Sequence, residues 1–223
     1  MGKTEWYRKT SWTENDRADF YIHLNRCRKE NRAQYLQIQA YHLCETNQSR
    51  EISAAYDLAN LAMQEEKHEY QQAGLLNLKA ECSNKLGQIR EAEECFNLAI
   101  QELKNHSEYA LVIPFSFGLF VIQHKIKRLY KKAIMVLDEF INLETTLIIP
   151  STIYSYYGIK AIIYYRTLKR KKGKEFAKIA IEASKLTYSG LPRHPDIGLV
   201  TEKEDFFYTE LLSIVNDSKS SRN

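Results

Sequence analysis

The sequence predicts an all-α protein in which helical hairpins stack as an α-solenoid, closed by a capping helix at each end, and three observations carry that expectation. Only 8 Gly and 4 Pro punctuate 223 residues, far fewer than the turns of an all-β chain demand. Apolar residues recur at intervals of three and four rather than alternating. Ile52 and then the small residues Ala92, Ala133 and Ala177 open the second helix of successive hairpins at separations of 40, 41 and 44.

The elements follow in order. Residues 1–30 hold the first cap: in "SWTENDRADFYIHLNRCRKE" Thr13 serves as N-cap with Asp16 three residues on, and Phe20, Leu24 and Cys27 share a face. The hairpin array occupies 31–187. Its first unit places Leu36, Ala40 and Leu43 on one helix and Ile52, Tyr56 and Ala59 on the next. The second places Leu76, Ala80 and Ser83 before a turn at Gly87, then Ala92, Phe96, Ala99 and Ile100. Small residues at Ala80, Ala92 and Ala99 let two antiparallel helices approach, with Phe96 filling the space between. "PFSFGLFVIQHKIK" with Ala133, Leu137 and Ile141 forms the third, and "YSYYGIKAIIYYRTLK" with Ala177, Ile181 and Ser184 the fourth. The Gly- and Pro-rich 188–200 reads as a loop. A C-terminal capping helix is expected over 201–216, with a Thr201–Glu204 capping box and Phe207, Leu211 and Ile214 inward; 217–223 frays.

Leu76, Ala80, Gly87, Ala92, Phe96 and Ala99 fall at the spacing of the tetratricopeptide repeat (TPR) consensus, which residues 76–100 resemble position by position, with Ser83 and Lys104 replacing the consensus tyrosine and proline. The opening "WYRKTSWTENDRADFYIHLNRCRKENRAQYLQIQAYHL" is similar to stand-alone bacterial TPR proteins that pair a Trp-rich start with a Q-Y-L-x-I-Q-A helix. That resemblance implies a right-handed array of about four hairpins; the longer separations also fit HEAT-like stacking, with its units of about 40 to 47 residues.

No window approaches about 18 uncharged apolar residues and Met1–Trp12 has no apolar run, so a soluble, cytoplasmic protein without membrane insertion is expected. Cys27, Cys44, Cys82 and Cys95 form no C-x-x-C pair and read as small buried hydrophobes. No Gly-rich phosphate loop, no pair of histidines at i, i+4 and no G-x-S-x-G occurs, so neither a cofactor, a metal nor an enzyme activity is expected. Residues 1–110 carry 14 Lys+Arg against 17 Asp+Glu, net −3, and residues 111–223 carry 18 against 11, net +7.

The TPR resemblance implies a non-catalytic module that binds a protein or peptide partner in a concave groove lined by the first helix of each unit. It nominates Gln34, Gln37 and Tyr41, then Asn77, Glu81 and Asn84, then Phe115, Ile122 and Lys125, then Ile162, Arg166, Lys169 and Arg170. Gln37 and Tyr41 stand where chaperone-binding members carry a carboxylate-gripping Lys and Asn, which argues against that role. The basic runs 125–132 and 166–174 read as solvated turns or as a ridge for an acidic partner. Nucleic acid would need stacking aromatics, for which Tyr156, Tyr157, Tyr164 and Tyr165 are the candidates, but core packing explains their spacing equally well. Two narrower roles are an immunity protein, its acids Glu65, Glu66, Glu69, Glu91, Glu93 and Glu94 suiting a basic bacterial toxin, and a peptide-responsive regulatory sensor.

Overall fold

The chain is all-helical in the computed structural model, which describes residues 5–65, 69–105, 112–141, 149–189, 191, 193–201 and 205–217. Ten α-helices run in order among the described residues: α1 (Glu14–Arg26), α2 (Lys29–Cys44), α3 (Ser49–Glu65), α4 (Glu69–Lys85), α5 (Ile89–Asn105), α6 (Val112–Gln123), α7 (Tyr130–Phe140), α8 (Pro150–Arg166), α9 (Arg170–Ser184) and α10 (Phe206–Asn216). A short 3₁₀ turn, Lys127–Leu129, precedes α7. The chain divides into two compact units, 1–113 and 114–223. Residues 111–113 are uncharged, so the net charges of −3 and +7 belong to these two units.

In the first unit α2 pairs with α3 and α4 with α5, while α4 also packs on α3 and α2. The Gly87 turn forms as the sequence predicts. Gly87 takes φ +76, its N–H donates to Asn84 O at 3.0 Å, and the Gln88 N–H donates to Ser83 O at 2.8 Å. This double closure satisfies the last carbonyls of α4 and turns the chain back. Leu76, Ala80, Ser83, Ala92, Phe96, Ala99 and Ile100 are all buried, as their periodicity requires.

The N-terminal cap also forms. Thr13 accepts from the Asp16 N–H at 3.2 Å, and Asp16 accepts from the Thr13 N–H at 3.0 Å, a complete capping box. Before it, the Trp-rich segment is held by the fully buried Gln39 of α2, whose side chain accepts from Lys9 N–H (3.0 Å) and donates to Lys9 O (2.7 Å). Trp6 packs against Phe20 at 5.3 Å and Tyr35 at 4.9 Å. The "QYLQIQA" helix is therefore a clamp for the start of the chain.

In the second unit α8 is the central helix, touching α7, α9 and α10. Two of its reversals use the closure seen at Gly87 without glycine. Lys125 (φ +53) follows α6 and Leu168 (φ +65) follows α8; Ile126 N–H donates to Val121 O at 3.0 Å and Lys169 N–H to Tyr164 O at 2.9 Å. Five residues after the left-handed residue come Ile52 (after Asn47), Ala92 and Gly173. Gly173, and not Ala177, is thus the fourth hairpin's counterpart of Ala92. A Cβ there would lie 2.7 Å from Tyr165 N and 2.9 Å from Ala161 O, so α9 meets the backbone of α8 directly. Between α6 and α7 the three-residue 3₁₀ turn places Ala133 eight residues after Lys125, three later than at the other turns.

The last helix begins at Phe206 with Asp205 as N-cap, accepting from Tyr208 N–H at 2.8 Å, which corrects the expected start at Thr201; Glu204 lies outside the described residues. Phe207, Leu211 and Ile214 are buried as expected. Phe207 and Leu211 seat against Gly158 of α8.

Two predictions follow from this packing. A bulky residue at left-handed φ costs about 1–2 kcal/mol, and Leu168 is 81% exposed, so Leu168→Gly should raise the urea midpoint, offset in part by glycine's greater unfolded-state entropy. Gly173→Ala should lower the unfolding free energy by about 1–3 kcal/mol, because helix backbones must separate. Hydrogen bonds from the Thr13 side chain, the Thr13 N–H and Ser11 lower the Asp16 pKa from 3.8 to about 2. A carboxyl lowered by folding adds stability above its unfolded pKa and loses it as pH falls through the folded one. Helicity of α1 should therefore weaken between about pH 4 and pH 2, and Asp16→Asn should remove that step in a pH-resolved amide hydrogen-exchange measurement.

Candidate partner-binding cleft

Helical geometry places Gln37, Ile38 and Tyr41 on one face of α2, with Glu45 at its C-cap, and Gly74, Asn77, Leu78 and Glu81 on one face of α4. These faces, with Arg8, His42, Val112 and Ile113, line a cleft of about 670 Å³ inside the first unit. That size suits a short peptide segment or a small ligand. Gly74 faces Gln37 across the cleft: a Cβ there would make an ordinary van der Waals contact, 3.4 Å from Gln37 Nε2. Apolar surface is available at the cleft: Tyr41 is 52% and Val112 61% exposed.

Polar groups punctuate this surface. Asn77 Nδ2 donates to Glu81 Oε1 at 3.0 Å, and Glu45 pairs with Lys85 at 3.2 Å. Arg8 is held by Glu5 at 3.0 Å. Burial, then the nearby Glu45 and Glu81, pushes the Tyr41 phenol above its ordinary pKa.

The structure thus brings together Gln37, Tyr41, Asn77 and Glu81 of the nominated residues. Gln34 is exposed and Asn84 half-buried, and neither lines the cleft. The second-unit nominations do not assemble. Ile122 and Ile162 are completely buried and have no surface to offer a groove, because α6 and α8 are apolar around most of their circumference. Phe115 is half-buried, and Lys125 is exposed at a left-handed turn. Arg166 is structural: its guanidinium donates to Glu210 at 2.8 and 2.6 Å, to Ile122 O at 2.6 Å and to Tyr130 Oη at 3.2 Å, tying α8 to α10 and the end of α6.

Lys169 and Arg170 remain exposed on the turn after α8, which with Leu168, Lys171, Lys172, Glu175 and Phe176 borders an open concavity. Their charges lie over the unit's own rings: Lys169 and Lys172 over Tyr164 (5.6 and 4.6 Å), Arg170 over Tyr165 (5.7 Å). Tyr156 is buried, sharing Asp138 with Lys160; Tyr156 Oη and Lys160 Nζ both donate to Asp138 Oδ1 at 2.6 Å. Burial, then the hydrogen bond to Asp138, raises the Tyr156 pKa.

The acids expected to face a basic toxin are largely engaged. Glu65 pairs with Arg32 at 2.7 Å, Glu94 with Arg90 at 3.2 Å, and Glu91 accepts from Tyr56 and lies 3.8 Å from Lys79. Glu66 and the Glu69 side chain lie outside the described residues. Cys44, Cys82 and Cys95 are buried and free, and Cys27 is half-buried. Among the described residues no group of His, Cys, Asp and Glu could hold a metal, and no helix is long and apolar enough to cross a membrane.

Sequence reasoning missed Ile38, Leu78, Val112 and Ile113 as cleft residues. The i, i+3, i+4 relation to Gln37, Tyr41 and Glu81 was the available signal for the first two. Reversing the charge of Arg166 should cost the second unit about 3 kcal/mol, the scale for breaking a desolvated ion pair. Arg170→Glu should stay within about 0.5 kcal/mol. Guanidinium denaturation of the two variants, with Arg166→Glu/Glu210→Arg as the partial rescue, measures the difference.

Searches of protein-family models, curated proteins and solved structures return no match to this chain.

Proposed function

We propose that the chain is a non-catalytic, tetratricopeptide-like interaction module that takes a segment of a protein partner into the α2/α4 cleft of its first unit. One observation carries this reading. Four residues nominated by the TPR resemblance, Gln37, Tyr41, Asn77 and Glu81, line one concave surface at which Tyr41 and Val112 are exposed. An apolar surface with a few fixed polar groups is the composition of a recognition site. Gln37, Tyr41 and Glu45 come from one helix and Asn77 and Glu81 from its neighbour, so an extended segment running across both helices would meet all of them.

The second unit, net +7, serves in this reading as a basic body whose exposed cations include Lys125, Lys169 and Arg170. Among narrower roles, covering a basic partner such as a toxin is favoured over binding an acidic peptide by the first unit's net charge of −3.

Site-specific photo-crosslinking in cells of origin tests the proposal. A benzophenone amino acid replacing Tyr41 should capture one defined protein, and the same probe at exposed Arg90 should not. Capture at Arg90 alone, or loss of no crosslink when Val112→Asp is added to the Tyr41 probe, would place the partner elsewhere and defeat the reading.

A further inference from the structure

The second unit carries two basic turns at the same end. Arg166, at the close of α8, donates to Ile122 O at 2.6 Å and to Tyr130 Oη at 3.2 Å, so the turn after α8 lies beside the turn after α6. Lys125, Lys127 and Lys131 are exposed on the α6–α7 side. Lys169, Arg170, Lys171 and Lys172 are exposed on the α8–α9 side. Among the described residues none of these cations has an ion-pair partner. Glu175 is the one carboxylate on the concavity that Leu168 borders.

Folding does not account for these side chains. Lys169 is the N-cap of α9 and the residues after it are cationic, with no acid in the first turn and no side-chain cap, where the helix dipole disfavours positive charge. Leu168 takes φ +65 and, at 81%, is the most exposed large hydrophobic residue among those described. It adds nothing to the core, and glycine would hold the same turn without strain. A solvated leucine among cations answers both demands of an anionic bilayer: an apolar side chain to enter the interface and positive charge drawn to the headgroups. RNA would use the charge alone. Tyr164 lies under Lys169 and Lys172 and against Phe176, and Tyr165 lies under Arg170 with its hydroxyl donating to Asp217, so neither ring offers the open face that base stacking needs.

We propose that this end of the second unit docks on the surface of an anionic lipid bilayer, with Leu168 entering the headgroup region and the cations of the two turns holding lipid phosphates. The contact is peripheral. It makes no demand on α2 or α4 and stands apart from the cleft reading.

Co-sedimentation of the full chain with extruded vesicles tests it, comparing pure phosphatidylcholine with an equal mixture of phosphatidylcholine and phosphatidylglycerol. The mixed vesicles should bind about tenfold more tightly or better. Lys169→Gln/Arg170→Gln should lower that affinity about 25-fold, about fivefold for each cation removed from a charged surface. Leu168→Asn, which leaves the charge unchanged and tolerates left-handed φ, should lower it about tenfold. Circular dichroism checks that each variant keeps its helicity. Absence of sedimentation with the mixed vesicles, or equal binding to both kinds, would overturn the proposal. Unchanged binding by the glutamine variant would place membrane contact elsewhere, and unchanged binding by Leu168→Asn would reduce the surface to a charge patch; either result defeats it. Binding to single-stranded RNA or polyglutamate that is tighter than to vesicles and indifferent to Leu168→Asn would assign the surface to a soluble polyanion.

Discussion

The hairpins of both units depend on one residue that accepts a left-handed backbone just past a helix end. A helix leaves its last carbonyls unpaired, and a chain that reverses beside its own helix must satisfy them without interposing bulk. Gly87 does this at no steric penalty. Asn47 belongs to the non-glycine type most tolerant of that conformation. Lys125 and Leu168 adopt it against their preference, held by the bonds from Ile126 to Val121 and from Lys169 to Tyr164. Once the reversal is set, the returning helix meets its partner five residues later in three of the hairpins. The residue there must be as small as the local helix separation demands, which at Gly173 means no side chain at all.

This dependence explains what could be read from the sequence and what could not. The Gly87 hairpin was legible because its turn residue announces itself and its small residues sit at helical spacing on both sides. The capping box at Thr13 was legible for a similar reason, since side-chain and backbone partners lie within four residues of each other. Lys125 and Leu168 carry no such mark, because nothing in their residue type predicts left-handed φ, and without them the fourth hairpin was set four residues out of register, at Ala177. Asp205 and Thr201 offer the same capping chemistry at nearby positions; burial of Phe207, Leu211 and Ile214 is satisfied by a helix starting at either, so sequence alone could not choose between them.

The candidate site divides along the same physical line. On α2 and α4 the residues facing the cleft are polar beside apolar, so helical spacing separates an outward face from a core face, and Gln37, Tyr41, Asn77 and Glu81 emerge together. On α8 that separation fails. This helix is packed on by α7, α9 and α10, and Ile159, Ala161, Ile162 and Ile163 are all buried. A position nominated by the repeat resemblance therefore falls in the core at Ile162. Arg166 was misread for a complementary reason: a guanidinium near a helix end looks solvent-directed in one dimension, while its carboxylate partner lies 44 positions away at Glu210. Pairings at that separation leave no local trace in the chain.

Net charge and local charge also part company here. The first unit's −3 would suggest a diffuse acidic surface, yet Glu65, Glu91 and Glu94 spend their charge on Arg32, Lys79 and Arg90 within the same unit. Such pairs set a long-range field while leaving little local demand for a partner. The cleft is different in kind. Glu81 accepts from the Asn77 amide at 3.0 Å, while the buried Asn77 Oδ1, in a wall that also holds Ile38, Leu78 and Ile113, accepts no hydrogen bond. Replacing Asn77 by leucine would remove that penalty without disturbing the spacing of α4, so folding alone does not select for the polar residue. At Asn77, a residue that lines a concave surface, burial and hydrogen bonding make opposing demands on the same side chain.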